Sequence, residues 1–161
     1  MDIYEFAMEK EQYAHDYYNS LAEKTDHEGI RNIFSMLAEE EQKHYNLVKQ
    51  MKTETPDSVT DTDVLGEAKP VFKSIRNGTS KFQSNKSELE IYRKAQQIEQ
   101  DSRDFYLARA QEVSDQKQSE IFEQLAEEEK KHYFLLDNII EMVARPEQWL
   151  EDPEWYHLEE Y

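Results

Sequence analysis

Six side chains in this 161-residue sequence have the types and spacing to hold metal ions: Glu11, Glu41, His44, Glu99, Glu129 and His132. Four of them form two Glu-x-x-His units, each inside a nearly identical phrase. "LAEEEQKHY" begins at Leu37 and "LAEEEKKHY" at Leu125, 88 residues later. Glutamate and histidine three apart on a helix differ by about 60° in rotation and roughly 4.5 Å along the axis, so both reach one ion. A single such unit is common on exposed helices and carries little weight. Here there are two, and each has a further glutamate 30 residues before it.

The surface on which these residues lie decides their meaning. In the second predicted helix Ile30, Phe34, Leu37, Glu41, His44, Val48 and Met51 alternate steps of four and three. In the fourth, Phe122, Leu125, Glu129, His132, Leu136, Ile139 and Val143 do the same. That spacing is the buried seam of a packed helix. The first helix has Tyr4, Ala7, Glu11, Ala14, Tyr18 and Leu21 on its seam, and the third has Tyr92, Ala95, Glu99, Ser102 and Tyr106. Each helix therefore buries one glutamate in mid-seam, with no Lys or Arg beside it. Burying an ionised carboxylate without a partner costs several kcal/mol. Two divalent cations match four glutamates charge for charge, and two imidazoles complete the shells. Oxygen-rich ligation with one nitrogen per metal suits iron or manganese better than zinc or copper.

The same periodicity turns Glu39, Glu40, Glu127 and Glu128 outward, toward solvent. Tyr18 and Tyr106 follow Glu11 and Glu99 by seven residues on the same face. They read equally as core tyrosines or as phenols bonding a ligand carboxylate. Ser102 either leaves space beside the metals or bonds a helix carbonyl and packs. His15, His27 and His157 fall outside the repeat and read as surface residues.

The elements that must position this set are legible from the repeat. Phe34–Leu47 and Phe122–Leu135 agree at ten of fourteen positions, and the agreement reaches back to Ile3 and Ile91. With three Gly and four Pro, the chain reads as all-α. Helices are predicted over about 2–24, 28–52, 88–113 and 116–144, the third opened by a Ser87–Glu90 capping box and the last stopped before Pro146. Short turns make two antiparallel hairpins, about 2–52 and 88–144. Between them lies a crossover of about 53–87, long enough to imply a role, with a short helix over Lys69 to Arg76. A tail of about 145–161, carrying both tryptophans, reads as a C-terminal cap. The whole, 1–161, reads as one domain.

Composition excludes several functions. A net charge of −17 opposes binding to nucleic acid or to an anionic membrane surface. The absence of cysteine removes disulfides, thiolate nucleophiles and iron–sulfur clusters. The N-terminus has no signal-peptide pattern and no segment is apolar enough to span a membrane, so the cytoplasm is the default compartment.

With these residues assembled, the chain resembles the ferritin-like di-iron carboxylate proteins, whose general ligand pattern is one Glu from each of two helices and Glu-x-x-His from each of the other two. More narrowly it is similar to the rubrerythrin family, through "AMEKEQYAHDYYNSLA", "LAEEEQKHY", "AQQIEQDSRDFYLARA" and "LAEEEKKHY". The resemblance implies a ferritin-like four-helix bundle with a long crossover between helices 2 and 3. It implies a centre of two iron ions ligated by Glu11, Glu41, His44, Glu99, Glu129 and His132, with Glu41 and Glu129 bridging, and a homodimer. Two departures stand out. Rubrerythrins proper carry a rubredoxin-like domain with a four-cysteine iron site, which this cysteine-free sequence cannot form, so electrons must come from a separate protein such as a rubredoxin. They also carry a glutamate three residues after the third-helix ligand, associated with peroxide chemistry, and here that position is Ser102, its symmetric partner being Ala14.

These features lead to a non-haem di-iron oxidoreductase that reduces peroxide or dioxygen. The alternatives are a ferroxidase with Fe(II) as substrate, and a metal-stabilised structural or sensor protein without turnover.

Overall fold

The computed structural model describes residues 2–60 and 62–151, and within them every element is helical. Four long helices dominate: α1 (Ile3–Lys24), α2 (Glu28–Met51), α4 (Leu89–Glu112) and α5 (Gln116–Ala144). α1 packs along α2 and α4 along α5, each pair joined by three residues. The connecting segment contains α3 (Val64–Arg76), which touches both α2 and α5, and α6 (Pro146–Glu151) follows α5. No helix of the described residues is long and apolar enough to cross a membrane.

Local chemistry sets the helix ends. Asp2, Asp63 and Asp115 each accept a backbone N–H one turn into α1, α3 and α5, satisfying donors that a helix start leaves free. His27 does the same for α2, its Nδ1 accepting from Ile30 N at 3.2 Å. The Ser87–Glu90 capping box does not form. Ser87 gives its hydroxyl to Asn85 Oδ1 at 2.6 Å within a 3-10 turn over Lys86–Glu88, and Glu88 enters α4 without a side-chain cap. α3 is longer than the predicted Lys69–Arg76: Asp63 starts it five residues earlier, and Pro70 lies inside it. It stops where Gly78 takes φ +80°, a left-handed conformation that glycine enters without steric cost. Pro146 does end α5, and its fixed φ then suits it to the first position of α6.

Burial follows the seams. All seven seam residues of α2 and all seven of α5 are buried, as are Ala7 to Leu21 on α1 and Tyr92 to Tyr106 on α4. The apolar core is divided in two. One cluster joins the start of α2 and the end of α5 with α3 and Trp149. The other joins Ala7, Val48, Met51, Tyr106, Phe122 and Leu125 at the opposite end. The six candidate ligands lie between them. Trp149 packs its ring on Phe72 of α3 at 6.2 Å and donates its indole N–H to Asn138 Oδ1. The first tryptophan of the tail thus folds back on the bundle, while Trp155, His157 and the rest of 152–161 lie outside the described residues.

Phe72 is fully buried where α3 meets the bundle. Truncating such an aromatic costs about 3–5 kcal/mol through lost burial and the cavity left behind. Phe72→Ala is expected to lower stability by about that amount in chemical denaturation, with the helix content at zero denaturant unchanged. A loss below about 1 kcal/mol would show that α3 contributes little to the core.

Candidate metal centre

Glu11, Glu41, Glu99 and Glu129 are all 0% exposed, and His44 and His132 are 3% and 0% exposed. Each of the four long helices contributes to this layer from the middle of its seam, so the apolar residues above and below fix where the ligands can be. Their donor atoms form two overlapping groups, each with atoms within 4.8 Å of one another: Glu11, Glu41, His44 and Glu129, then Glu41, Glu99, Glu129 and His132. Glu41 and Glu129 belong to both.

The arrangement repeats the internal symmetry of the chain. His132 Nδ1 of α5 lies 2.8 Å from Glu41 Oε1 of α2, and His44 Nδ1 of α2 lies 2.8 Å from Glu129 Oε1 of α5. The first contact has hydrogen-bond geometry. The second is equally short but misaligned, and it leaves both atoms without a hydrogen-bond partner. The two imidazoles lie nearly parallel, 5.8 Å apart. Tyr106 of α4 donates its phenol to Glu11 Oε1 of α1 at 2.5 Å, and Tyr18 of α1 donates to Glu99 Oε1 of α4. Each half of the chain holds a carboxylate of the other.

Electrostatics show what the layer lacks. Burial pushes Glu41 and Glu129 well above the usual carboxylate range, and the neighbouring carboxylates push them further. Burial also works against ionised Glu11 and Glu99, but hydrogen bonds and the facing histidines outweigh it and hold both below that range. For His44, burial opposes the charged form, yet Glu11 and Glu129 raise it well above its ordinary value. Protons thus stand where cations would. Even so, seven buried donor atoms remain without a hydrogen bond: Glu11 Oε2, Glu41 Oε2, His44 Nδ1, Glu99 Oε2, both Glu129 oxygens and His132 Nε2. A buried polar atom left unpaired costs about 1–3 kcal/mol, so this many in one layer demand a ligand. Carboxylate oxygens and imidazole nitrogens around a common centre suit a metal ion of the iron or manganese kind.

One comparison decides the relationship. The family model described as Rubrerythrin matches residues 2–140. The chain belongs to the rubrerythrin family. Comparisons with curated proteins and with solved structures gave no match. For a rubrerythrin-family chain an all-helical, ferritin-like bundle and a buried carboxylate–histidine metal site are the coherent reading.

Two expectations need correction. Glu39 and Glu127 are exposed, but Glu40 and Glu128 are 3% and 6% exposed. The connecting segment covers this side of α2 and α5: Lys43 Nζ donates to Thr62 Oγ1, and Val59 N–H donates to Gln124 Oε1. Beneath it Glu40 pairs with Lys43 at 3.2 Å and Glu128 with Lys131 at 3.3 Å. Burial raises Glu128, a shift that Lys131 and His132 oppose. The missed signal was a second stripe, Ile33–Glu40–Leu47 and Ile121–Glu128–Leu135, at steps of seven. His15 and His27 are half-buried rather than exposed. His15 bonds Asp16, and His27 caps α2.

The raised groups give the metal-free protein a definite pH response. Glu41 and Glu129 contribute most stability below the ordinary carboxylate value of 4.5 and lose it as pH rises. His44 adds a like loss above 6.5, whereas Glu11 and Glu99 weaken the fold only as pH falls below 4.5. The melting temperature of metal-free protein is therefore expected to fall between about pH 5 and about pH 8, each deprotonating group costing up to about 1.4 kcal/mol per pH unit. Bound metal requires deprotonated ligands, so the loaded protein should instead gain stability over the same range. Glu41→Gln is expected to lose metal and flatten the metal-free slope. Melting curves identical with and without metal across this range would show that the six residues do not share a buried centre.

Proposed function

We propose that Glu11, Glu41, His44, Glu99, Glu129 and His132 hold two iron ions, with Glu41 and Glu129 shared between them. On this reading the protein is a non-haem di-iron oxidoreductase that reduces peroxide or dioxygen, taking electrons from a separate protein such as a rubredoxin. The observation that carries the proposal is the pair of overlapping donor groups with Glu41 and Glu129 common to both. Family membership supports it. The two helix pairs are read as repeated hairpins joined by a crossover in one ferritin-like domain, acting as a cytoplasmic dimer.

Bound iron would supply a redox pair that, when reduced, gives electrons to the oxidant. The chain does the rest. Glu11 and Glu99 are terminal carboxylates, each held in place by a phenol from the opposite half. Tyr18 and Tyr106 are themselves pushed well above the ordinary phenol range, by burial first and by these carboxylates next, so they remain donors. The apolar clusters at either end keep bulk water from the centre. The approach to the centre is assigned to the side between α1 and α4. A groove of about 340 Å³ there is lined by Phe6, Lys10, Tyr13, Ile98 and the buried Ser102, one turn from Glu99.

Elemental analysis of protein reconstituted with ferrous iron is expected to give two iron ions per chain. One zinc ion, or no iron, would overturn the assignment. The oxidant is read from Ser102, which stands where family relatives carry a glutamate. Stopped-flow oxidation of the ferrous protein is expected to be slow with peroxide and faster with dioxygen. Ser102→Glu, which places a fifth carboxylate and seventh ligand beside the pair, should accelerate the peroxide reaction by about tenfold, equivalent to about 1.4 kcal/mol. Rapid peroxide oxidation of the unaltered protein, unchanged in the variant, would remove Ser102 from the account.

A further inference from the structure

The aromatic residues around the centre form two ring stacks related by the sequence repeat. On one side Tyr18 stacks on Phe34 at 6.5 Å, and Phe34 on Tyr92 at 5.7 Å, with interplanar angles of 20° and 23°. On the other, Tyr106 stacks on Phe122 at 6.0 Å, and Phe122 on Tyr4 at 6.4 Å, with angles of 21° and 25°. Each stack begins at a phenol bonded to a candidate ligand, Glu99 or Glu11, and runs outward toward one end of the bundle. Packing alone accounts for buried rings. The repeat accounts for the order appearing twice, but neither accounts for each stack starting at a phenol bonded to the centre.

The outer tyrosines differ in one respect. Tyr4 gives its phenol to the side-chain amide of Gln118, an acceptor that cannot take the proton. Tyr92 gives its phenol to Glu88 Oε2 at 2.6 Å, a carboxylate that can. Glu88 stands at the N-terminus of α4, where a side chain commonly caps the helix, but its carboxylate makes no such bond. Tyr92 is 2% exposed and Glu88 is half-buried, so the pair bridges core and surface.

We propose that Tyr92, with Glu88 as its proton acceptor, is a one-electron relay joined to the metal centre through Phe34 and Tyr18. The proposal rests on the metal-centre reading above. Reduction of a peroxide to water takes two electrons, with protons from solvent. When the centre can supply only one, Tyr92 supplies the other. Its electron passes inward along the stack, its O–H bond breaks, and the proton moves to Glu88. Tyr92 is then a neutral phenoxyl radical and Glu88 a carboxylic acid. An external one-electron donor restores the electron, Glu88 returns the proton, and the O–H bond re-forms. Burial and Glu88 push the Tyr92 phenol well above its ordinary range, so it does not ionise before it is oxidised.

The test has two arms, both on the full chain. Protein loaded with two ferrous ions per chain and oxidised by one electron, so that the centre can supply only one more, is mixed with hydrogen peroxide in the absence of reductant, frozen, and measured by electron paramagnetic resonance. A tyrosyl radical signal is expected, lost in Tyr92→Phe, kept in Tyr4→Phe and strongly reduced in Glu88→Gln, with iron content and melting temperature unchanged. In the second arm, metal-free protein is oxidised by photogenerated ruthenium(III) tris-bipyridine, and the part of the signal that Tyr92→Phe removes should exceed the part that Tyr4→Phe removes. A signal insensitive to Tyr92→Phe in either arm overturns the proposal, as does a larger loss in Tyr4→Phe. Tyr92-dependent signal in the second arm with none from iron-loaded protein overturns the connection to the centre. Failure of iron to bind at all would strike the metal-centre reading instead, and the second arm would still report on Tyr92.

Discussion

Four carboxylates in one dry layer repel one another, and the organisation of this protein follows from how that repulsion is relieved. At an effective dielectric typical of protein sites, two unit charges about 4 Å apart interact by about 4 kcal/mol. The layer holds four glutamates and two histidines with no lysine or arginine paired to the six among the described residues. Without metal, the charge is divided unequally, with Glu41 and Glu129 driven toward the neutral form and Glu11 and Glu99 kept ionised. The glutamates that retain a proton are the ones common to both donor groups. A pair of cations would displace those protons and use the orphaned oxygens at the same time, so metal binding and acid–base state are one equilibrium.

The surrounding structure limits how far the layer can relax. Apolar clusters close it at both ends, which prevents water from solvating the carboxylates. The phenols of Tyr18 and Tyr106 pin one oxygen each of Glu99 and Glu11, leaving the second oxygen of each free for a ligand. Pinning the outer carboxylates while the shared ones keep free oxygens gives the layer two kinds of glutamate. One kind positions, and the other adapts to the charge between them.

Much of this was legible in the sequence because the seam is a strict alternation of three and four, which places charged residues on an apolar stripe without ambiguity. The six residues of the donor groups, and the two tyrosines that touch them, all fall on that stripe. What escaped was whatever depended on a neighbour remote in sequence. Glu40 and Glu128 read as solvated because helix periodicity assigns one buried face, whereas the connecting segment covers a second. The Ser87–Glu90 capping box lost to Asn85, whose side chain lies nearer the serine hydroxyl. His27 caps α2 through a ring nitrogen, a role that residue preferences assign first to Ser, Thr, Asp or Asn. α3 begins earlier than predicted because Asp63 supplies a cap and Pro70 is accommodated inside the helix.

The exchange of phenols between halves bears on how such a chain could have arisen. Tyr18 serves Glu99 and Tyr106 serves Glu11, while His44 approaches Glu129 and His132 approaches Glu41. Every one of these contacts crosses from one repeat to the other. A single repeat standing alone would therefore have its donors but none of their partners. Two identical repeats meeting about a twofold axis would have all of them. An ancestor of half this length could have built the same layer by self-association, and gene duplication with fusion would then have made the association permanent. Once fused, the halves were free to diverge where the axis no longer required equality, as Ala14 and Ser102 have done.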